Sequence, residues 1–231
     1  MNAKVIRLGR AALCATTLLL APTTTHATVL VPGGAVMPDV LAGSAGTLVD
    51  TLLTPLTLGG NPIGALRAAV VRNGGTLDFY YQVFNSGMSG VNLSLVSNEA
   101  FAIPSSLFVT DVFTRSDTGG LPVFLNNGRA VPANVTRSGD GILVGFNFVG
   151  PRTSAKLNPG EFSQILVVRT NATLYVPGLT TVSNGISTSA TSFAPSAVPE
   201  PASLLLLGSA FAAAGYMARH RGAKRKSKTT I

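Results

Sequence analysis

Between Thr47 and about Ser187, short apolar runs alternate with turn residues, and within the runs apolar positions recur every second residue. Leu77, Phe79, Tyr81 and Val83 fall on one side of such a run, with Asp78, Tyr80 and Gln82 on the other. A period of two sends alternate side chains to opposite faces of an extended strand. Leu143, Gly145, Asn147 and Val149 oppose Val144, Phe146 and Phe148 in the same way. The pattern predicts strands over 47–53, 66–72, 76–84, 91–96, 107–114, 123–125, 134–137, 142–149, 162–169 and 173–176, with a last one near 180–186. Asn73-Gly74, Asn127-Gly128, Asp140-Gly141 and Asn184-Gly185 supply residues that tolerate the positive φ of tight turns. No stripe of 3.6-residue period competes, so the expected fold is all-β, an antiparallel sandwich or jelly-roll-like body.

The two ends have a different pattern. Lys4, Arg7 and Arg10 precede the apolar run Ala11 to Ala21, and Thr25-His26-Ala27 places small residues three and one positions before a break. That is the plan of a secretory signal peptide cut after Ala27. At the other end Val198, Pro199, Glu200, Pro201 and Ala202 run into an apolar stretch, closed by Arg219, Arg221, Lys224, Arg225, Lys226 and Lys228. Residues 202–218 would make about 25 Å of helix, at ~1.5 Å per residue, against a hydrocarbon core of about 30 Å. They are expected to form a single short C-terminal transmembrane helix. Lys and Arg favour the cytoplasmic side, which puts the tail inside and the body outside the inner membrane. Pro199 and Pro201 lack backbone donors and keep the box extended, while Glu200 resists burial in hydrocarbon.

The expected organisation is therefore a signal peptide at 1–27, an irregular leader rich in Pro, Gly and Ala at 28–46 and a β-sandwich-like domain at 47–187. A Ser/Thr/Pro spacer at 188–197, a span at 202–218 and a basic tail at 219–228 complete it. Ser187 to Ser196 holds little to bury, so it is expected to stay flexible.

Setting the targeting segments aside changes the charge. The formal +8 sits in the two ends, because Arg67, Arg72, Arg115, Arg129, Arg137, Arg152, Lys156 and Arg169 are balanced by Asp39, Asp50, Asp78, Glu99, Asp111, Asp117, Asp140 and Glu161. A neutral body argues against a nucleic-acid partner despite the basic whole. Cys14 and His26 leave with the signal, and His220 lies in the tail. The mature body then has no thiol or imidazole for nucleophilic triads, zinc or disulfides.

What chemistry remains is thin. Asp111 and Asp117 are near one another in sequence, but Asp117-Thr-Gly-Gly120 and Asp140-Gly141 read as turns, and no Asp-x-Asp-x-Asp loop would hold calcium. Ser154 and Lys156 lie in an expected loop between Arg152 and Pro159. Tyr80 and Tyr81 could offer a sugar-stacking ring, though adjacent strand residues cannot both be exposed on one face. Asn92, Asn134 and Asn171 begin Asn-x-Ser/Thr triplets that arise by chance in such a composition. No catalytic residue, cofactor or metal is expected.

The box Val198-Pro-Glu-Pro-Ala-Ser203, the Leu-rich span with Gly208 and Gly215 and the basic end resemble the PEP-CTERM family of exosortase substrates over residues 198–228. The resemblance implies sorting by an exosortase, a membrane-embedded cysteine protease or transpeptidase. It implies cleavage near the box, with release or attachment at the envelope surface of a Gram-negative bacterium, often one making exopolysaccharide. Gly75 to Val83 also looks like a strand in several bodies that carry this tail, which supports a β fold and no activity. Such a tail is shared by unrelated domains, so it does not assign the body. The expected role is an exported structural or adhesive component of the cell surface or extracellular matrix, transiently anchored in the inner membrane with its body in the periplasm. The alternative is a carbohydrate-binding module for the producer's exopolysaccharide.

Overall fold

The computed structural model describes residues 29–101, 109–150 and 156–196. The signal peptide with Ala27, the sorting box 198–202, the span 202–218 and the basic tail 219–228 lie outside the described residues, as do Arg152 and Ser154. Every regular element among the described residues is a strand. In chain order these are β1 (Ala35–Val36), β2 (Asp39–Val40), β3 (Thr47–Leu58), β4 (Asn61–Asn73), β5 (Thr76–Asn85), β6 (Leu95–Asn98) and β7 (Val109–Arg115). They continue as β8 (Gly128–Ala130), β9 (Asn134–Arg137), β10 (Val144–Asn147), β11 (Phe162–Ser163), β12 (Ile165–Thr170), β13 (Leu174–Ser183) and β14 (Ser187–Ser196).

The strands form two sheets in a curled, sandwich-like body. The first has the order β1-β9-β10-β6-β13-β14 and the second β2-β7-β12-β5-β11-β8, with β4 on the other edge of β5 and β3 beyond it. Pairing is antiparallel except where β11 meets β8 and β2 meets β7. The main core lies between the sheets, where Leu77, Phe79, Tyr81 and Val83 of β5 meet Val96, Val135, Val144, Phe146 and Phe193. The alternation of β5 is thus obeyed, and Val144, Phe146 and Phe148 point inward while Leu143 and Val149 stay exposed. The seam between sheets closes through threonines: Thr54 Oγ1 of β3 donates to the Thr191 carbonyl at 3.0 Å, and the Thr188 hydroxyl of β14 donates to the Thr57 carbonyl.

The outer face of the second sheet is covered too. Tyr80, Phe113, Ile165 and Val167 pack beneath Ala45 of the leader and Leu121 and Phe124 of the following loop. Strands buried on both faces lose the polar side that a solvated sheet would show.

Several expectations change on this architecture. Of the spacer expected at 188–197, residues 188–196 belong to β14, which is paired with β13 along its whole length from Leu174↔Ser196 to Ser183↔Ser187. Thr and Ser suit an extended edge strand, and Ala190, Phe193 and Ala194 give it an apolar side to bury. The leader is not wholly irregular, since β1 joins the first sheet and β2 the second. Residues 123–125 are loop instead of strand, because Arg67 and Gln82 hold their carbonyls against the sheet face. The expected strands 173–176 and 180–186 are one strand, β13, which ends before the turn at Gly185 (φ +81°). Asn73-Gly74 turns β4 into β5 as expected, with Gly74 at φ +63°. The turn expected at Asn127-Gly128 falls one residue earlier, at Asn126-Asn127, and Gly128, whose φ is not positive, opens β8.

Candidate functional site

Polar side chains on the outer face of the second sheet act on backbone. Gln82 of β5 donates its amide to the Leu125 carbonyl at 2.9 Å and accepts from the Leu125 N–H at 3.0 Å. Arg67 Nη1 of β4 donates to the Val123 carbonyl at 2.9 Å. Arg115 of β7, fully buried, donates to the Gly43 carbonyl and to Asp117 Oδ1, the latter from Nε at 3.0 Å and Nη2 at 2.8 Å. The Tyr80 hydroxyl donates to the Ala45 carbonyl at 3.5 Å, a weak contact. These groups satisfy loop and leader carbonyls that water would otherwise serve, and so fasten both segments to the sheet.

One row across this face carries both charges. Register sets Asp78 of β5 beside Arg169 of β12, and Arg169 beside Asp111 of β7. Arg169 Nε donates to Asp78 Oδ2 at 3.2 Å, Asn73 Nδ2 donates to the same oxygen at 3.2 Å, and the Arg169 guanidinium lies 4.9 Å from the Phe113 ring centroid. Asp78 and Asp111 are two strands apart, roughly 10 Å at ~4.8 Å per strand, with Arg169 at the register position between them. The row braces three strands.

Burial pushes the Asp78 carboxyl above its ordinary 3.8, while Arg169 and Asn73 pull the other way. A carboxyl whose folded pKa exceeds its unfolded one binds more protons in the fold. Its contribution is therefore most favourable below about 3.8 and declines as pH rises through the raised value. Asp78→Asn should accordingly gain stability relative to the wild type between about pH 4 and pH 7. Urea unfolding of both proteins at those two pH values measures this, and a difference that does not move with pH would contradict it.

The residues singled out from sequence fall as follows. Asp111 is buried on β7, whereas the Asp117 side chain is half-exposed and engaged by Arg115. Asp140 accepts from the Ser138 hydroxyl and from the Ile142 N–H at 3.0 Å, bonds that hold its carboxyl below the ordinary value and fit the turn reading. No group of three or more His, Cys, Asp and Glu that could hold a metal occurs among the described residues. Tyr80 and Tyr81 are both buried, so neither is a surface ring. The outer face that would have exposed Tyr80 is covered by the leader and loop, and the Tyr81 hydroxyl donates to the Phe193 carbonyl at 2.7 Å inside the core. Lys156 is half-buried, Asn171 is exposed, and Asn134 Oδ1 accepts from Asn147 Nδ2 at 2.7 Å.

Strand β14 stays paired to β13 as far as Ser196, and in the sequence only Ala197 separates it from Val198-Pro-Glu-Pro. Residues 197–221 match the PEP-CTERM protein-sorting motif. The match covers the box and the apolar stretch and reaches Arg219 and Arg221, while Lys224 to Lys228 lie beyond it, and the PEP-CTERM motif implies an exported protein recognised by an exosortase. No curated protein and no solved structure matches the chain.

Proposed function

We propose that this chain is a non-enzymatic component of the cell surface or extracellular matrix, structural or adhesive, delivered by an exosortase through its C-terminal segment. The PEP-CTERM match over 197–221 carries the delivery part of this reading. The signal peptide is removed after Ala27, residues 202–218 hold the chain in the inner membrane with the body in the periplasm, and Arg219 to Lys228 remain in the cytoplasm. Cleavage at Val198 to Ala202 then frees or transfers the body. The fold supports this order of events, because β14 ends before the box and a cut there removes none of the strands among the described residues. Sparse charge, with exposed Met37, Val40, Met88 and Ile186, favours association through neutral and apolar surface.

Mass spectrometry of both termini tests the proposal in a host that has the sorting enzyme. The expected mature protein begins at Thr28 and ends within or just beyond the box. Replacing Pro199, Glu200 and Pro201 together by alanine should leave the tail intact and the chain in the membrane fraction. A wild-type protein recovered with Lys228 still attached would overturn the processing claim.

A further inference from the structure

At the β8 edge of the second sheet, a depression of about 240 Å³ is lined by Asn127, Arg129, Gly160, Glu161 and Phe162. Its walls are fixed from several directions. Gly128 lets β8 approach β11 closely, since a Cβ there would lie 2.3 Å from the Ser163 carbonyl oxygen. The turn before β11 is tied down by Gly160 N–H donating to the Asn85 carbonyl at 2.8 Å and Asn85 N–H donating to the Glu161 carbonyl at 2.9 Å. Glu161 Oε2 accepts from the Asn158 N–H at 2.9 Å, which orients its carboxylate. Phe162 pairs across strands with Phe84, and their rings stack at 4.4 Å and 25°. Arg129 is exposed and makes no hydrogen bond or ion pair among the described residues.

We propose that this depression binds one ring of a neutral saccharide. Sugar hydroxyls both donate and accept, and the lining offers a donor-only guanidinium, an acceptor-only carboxylate and an amide that does both. Phe162 supplies the apolar surface on which the C–H face of a pyranose rests. The charges of Arg129 and Glu161 offset one another, which favours an uncharged ring over an anion. The depression is open to solvent on one side and small, which suits a single ring and not a folded chain. The turn before β11 is held by backbone bonds, so the ordering cost of binding falls mainly on the Arg129 side chain. The inference gives the exported body a ligand class and rests on the export reading only for where the sugar is met.

Isothermal titration of the full-length chain in non-ionic detergent tests it. The probes are soluble hexasaccharides of glucose, mannose and galactose, a hexauronate, and the polysaccharide shed by the producing cells. At least one neutral probe should bind saturably, with affinity at least ten-fold weaker in Arg129→Met and in Phe162→Leu while both variants melt within a few degrees of the wild type. The proposal fails if no neutral probe binds, if the hexauronate binds more tightly than all of them, or if both variants keep the wild-type affinity. A fault in the export reading would register in the termini of the mature protein and leave these titrations unchanged.

Discussion

Arg137→Met will lower the stability of the body by about 3 kcal/mol or more, one of the largest losses expected from a single side chain here. Arg137 is 4 % exposed, and its guanidinium is spread over three backbone carbonyls: Gly141 from Nε, Leu30 from Nη1 and Phe101 from Nη2, each at 3.2 Å. Neither ion pair among the described residues involves it, and burial lowers its pKa from the usual value, which marks a cation held by dipoles instead of a counter-charge. Removing it leaves three carbonyls short of a donor at about 1–3 kcal/mol each. The lost desolvation of the cation offsets part of that. Lysine should recover less than half, because a point ammonium on a flexible stem cannot span a planar fork of acceptors from three segments. In urea, with a slope of about 2 kcal/mol per molar, the midpoint should fall by about 1.5 M. A midpoint within about 0.3 M of the wild type would show that these three segments are held by something else.

That clamp also shows which part of the fold can be read from sequence. The face assignment of β5 and β10 is local: Leu77 to Val83 and Val144 to Phe148 declare their sides by alternation alone. Arg137 and Leu30 are 107 residues apart, and Gln82 and Leu125 are 43 apart. No period in the chain couples such positions, so arginines counted as a neutral charge balance are carbonyl clamps in the folded body. Tyr80 follows the same logic in reverse. Its side of β5 was correctly opposite to Tyr81, but its burial depends on a leader and a loop that composition marks only as irregular. The candidate sugar cleft was equally hidden, because Phe162 and Arg129 line one depression only through the parallel approach of β8 to β11. The sorting box was legible because it is contiguous, and its match needs no fold.

β14 was misread for a related reason, and its removal gives the other large prediction. A chain ended after Ser196 should unfold as cooperatively as the full-length protein, whereas one ended after Ile186 should not reach the native state. Ser187 to Ser196 has the composition of a linker, yet its extended backbone is paired residue by residue to β13 and it buries Ala190, Phe193 and Ala194. Pro195 is tolerated because this is an edge strand, where a missing donor breaks no ladder. The Phe193 ring meets Tyr175 edge-on at 5.5 Å and 87°, and its carbonyl receives the buried Tyr81 hydroxyl. Losing a buried phenylalanine costs about 3–5 kcal/mol. Orphaning the hydroxyl adds about 1–3 kcal/mol. Together these approach the whole stability of a typical domain, about 5–15 kcal/mol. Near-UV circular dichroism and thermal melting of the two truncations decide it, and a shorter chain melting within about 5 °C of the longer would return β14 to the role of spacer. If the expected result holds, the position of the sorting box has a physical rationale: a cut after Ser196 spares every strand among the described residues, and a cut ten residues earlier opens the core between the sheets.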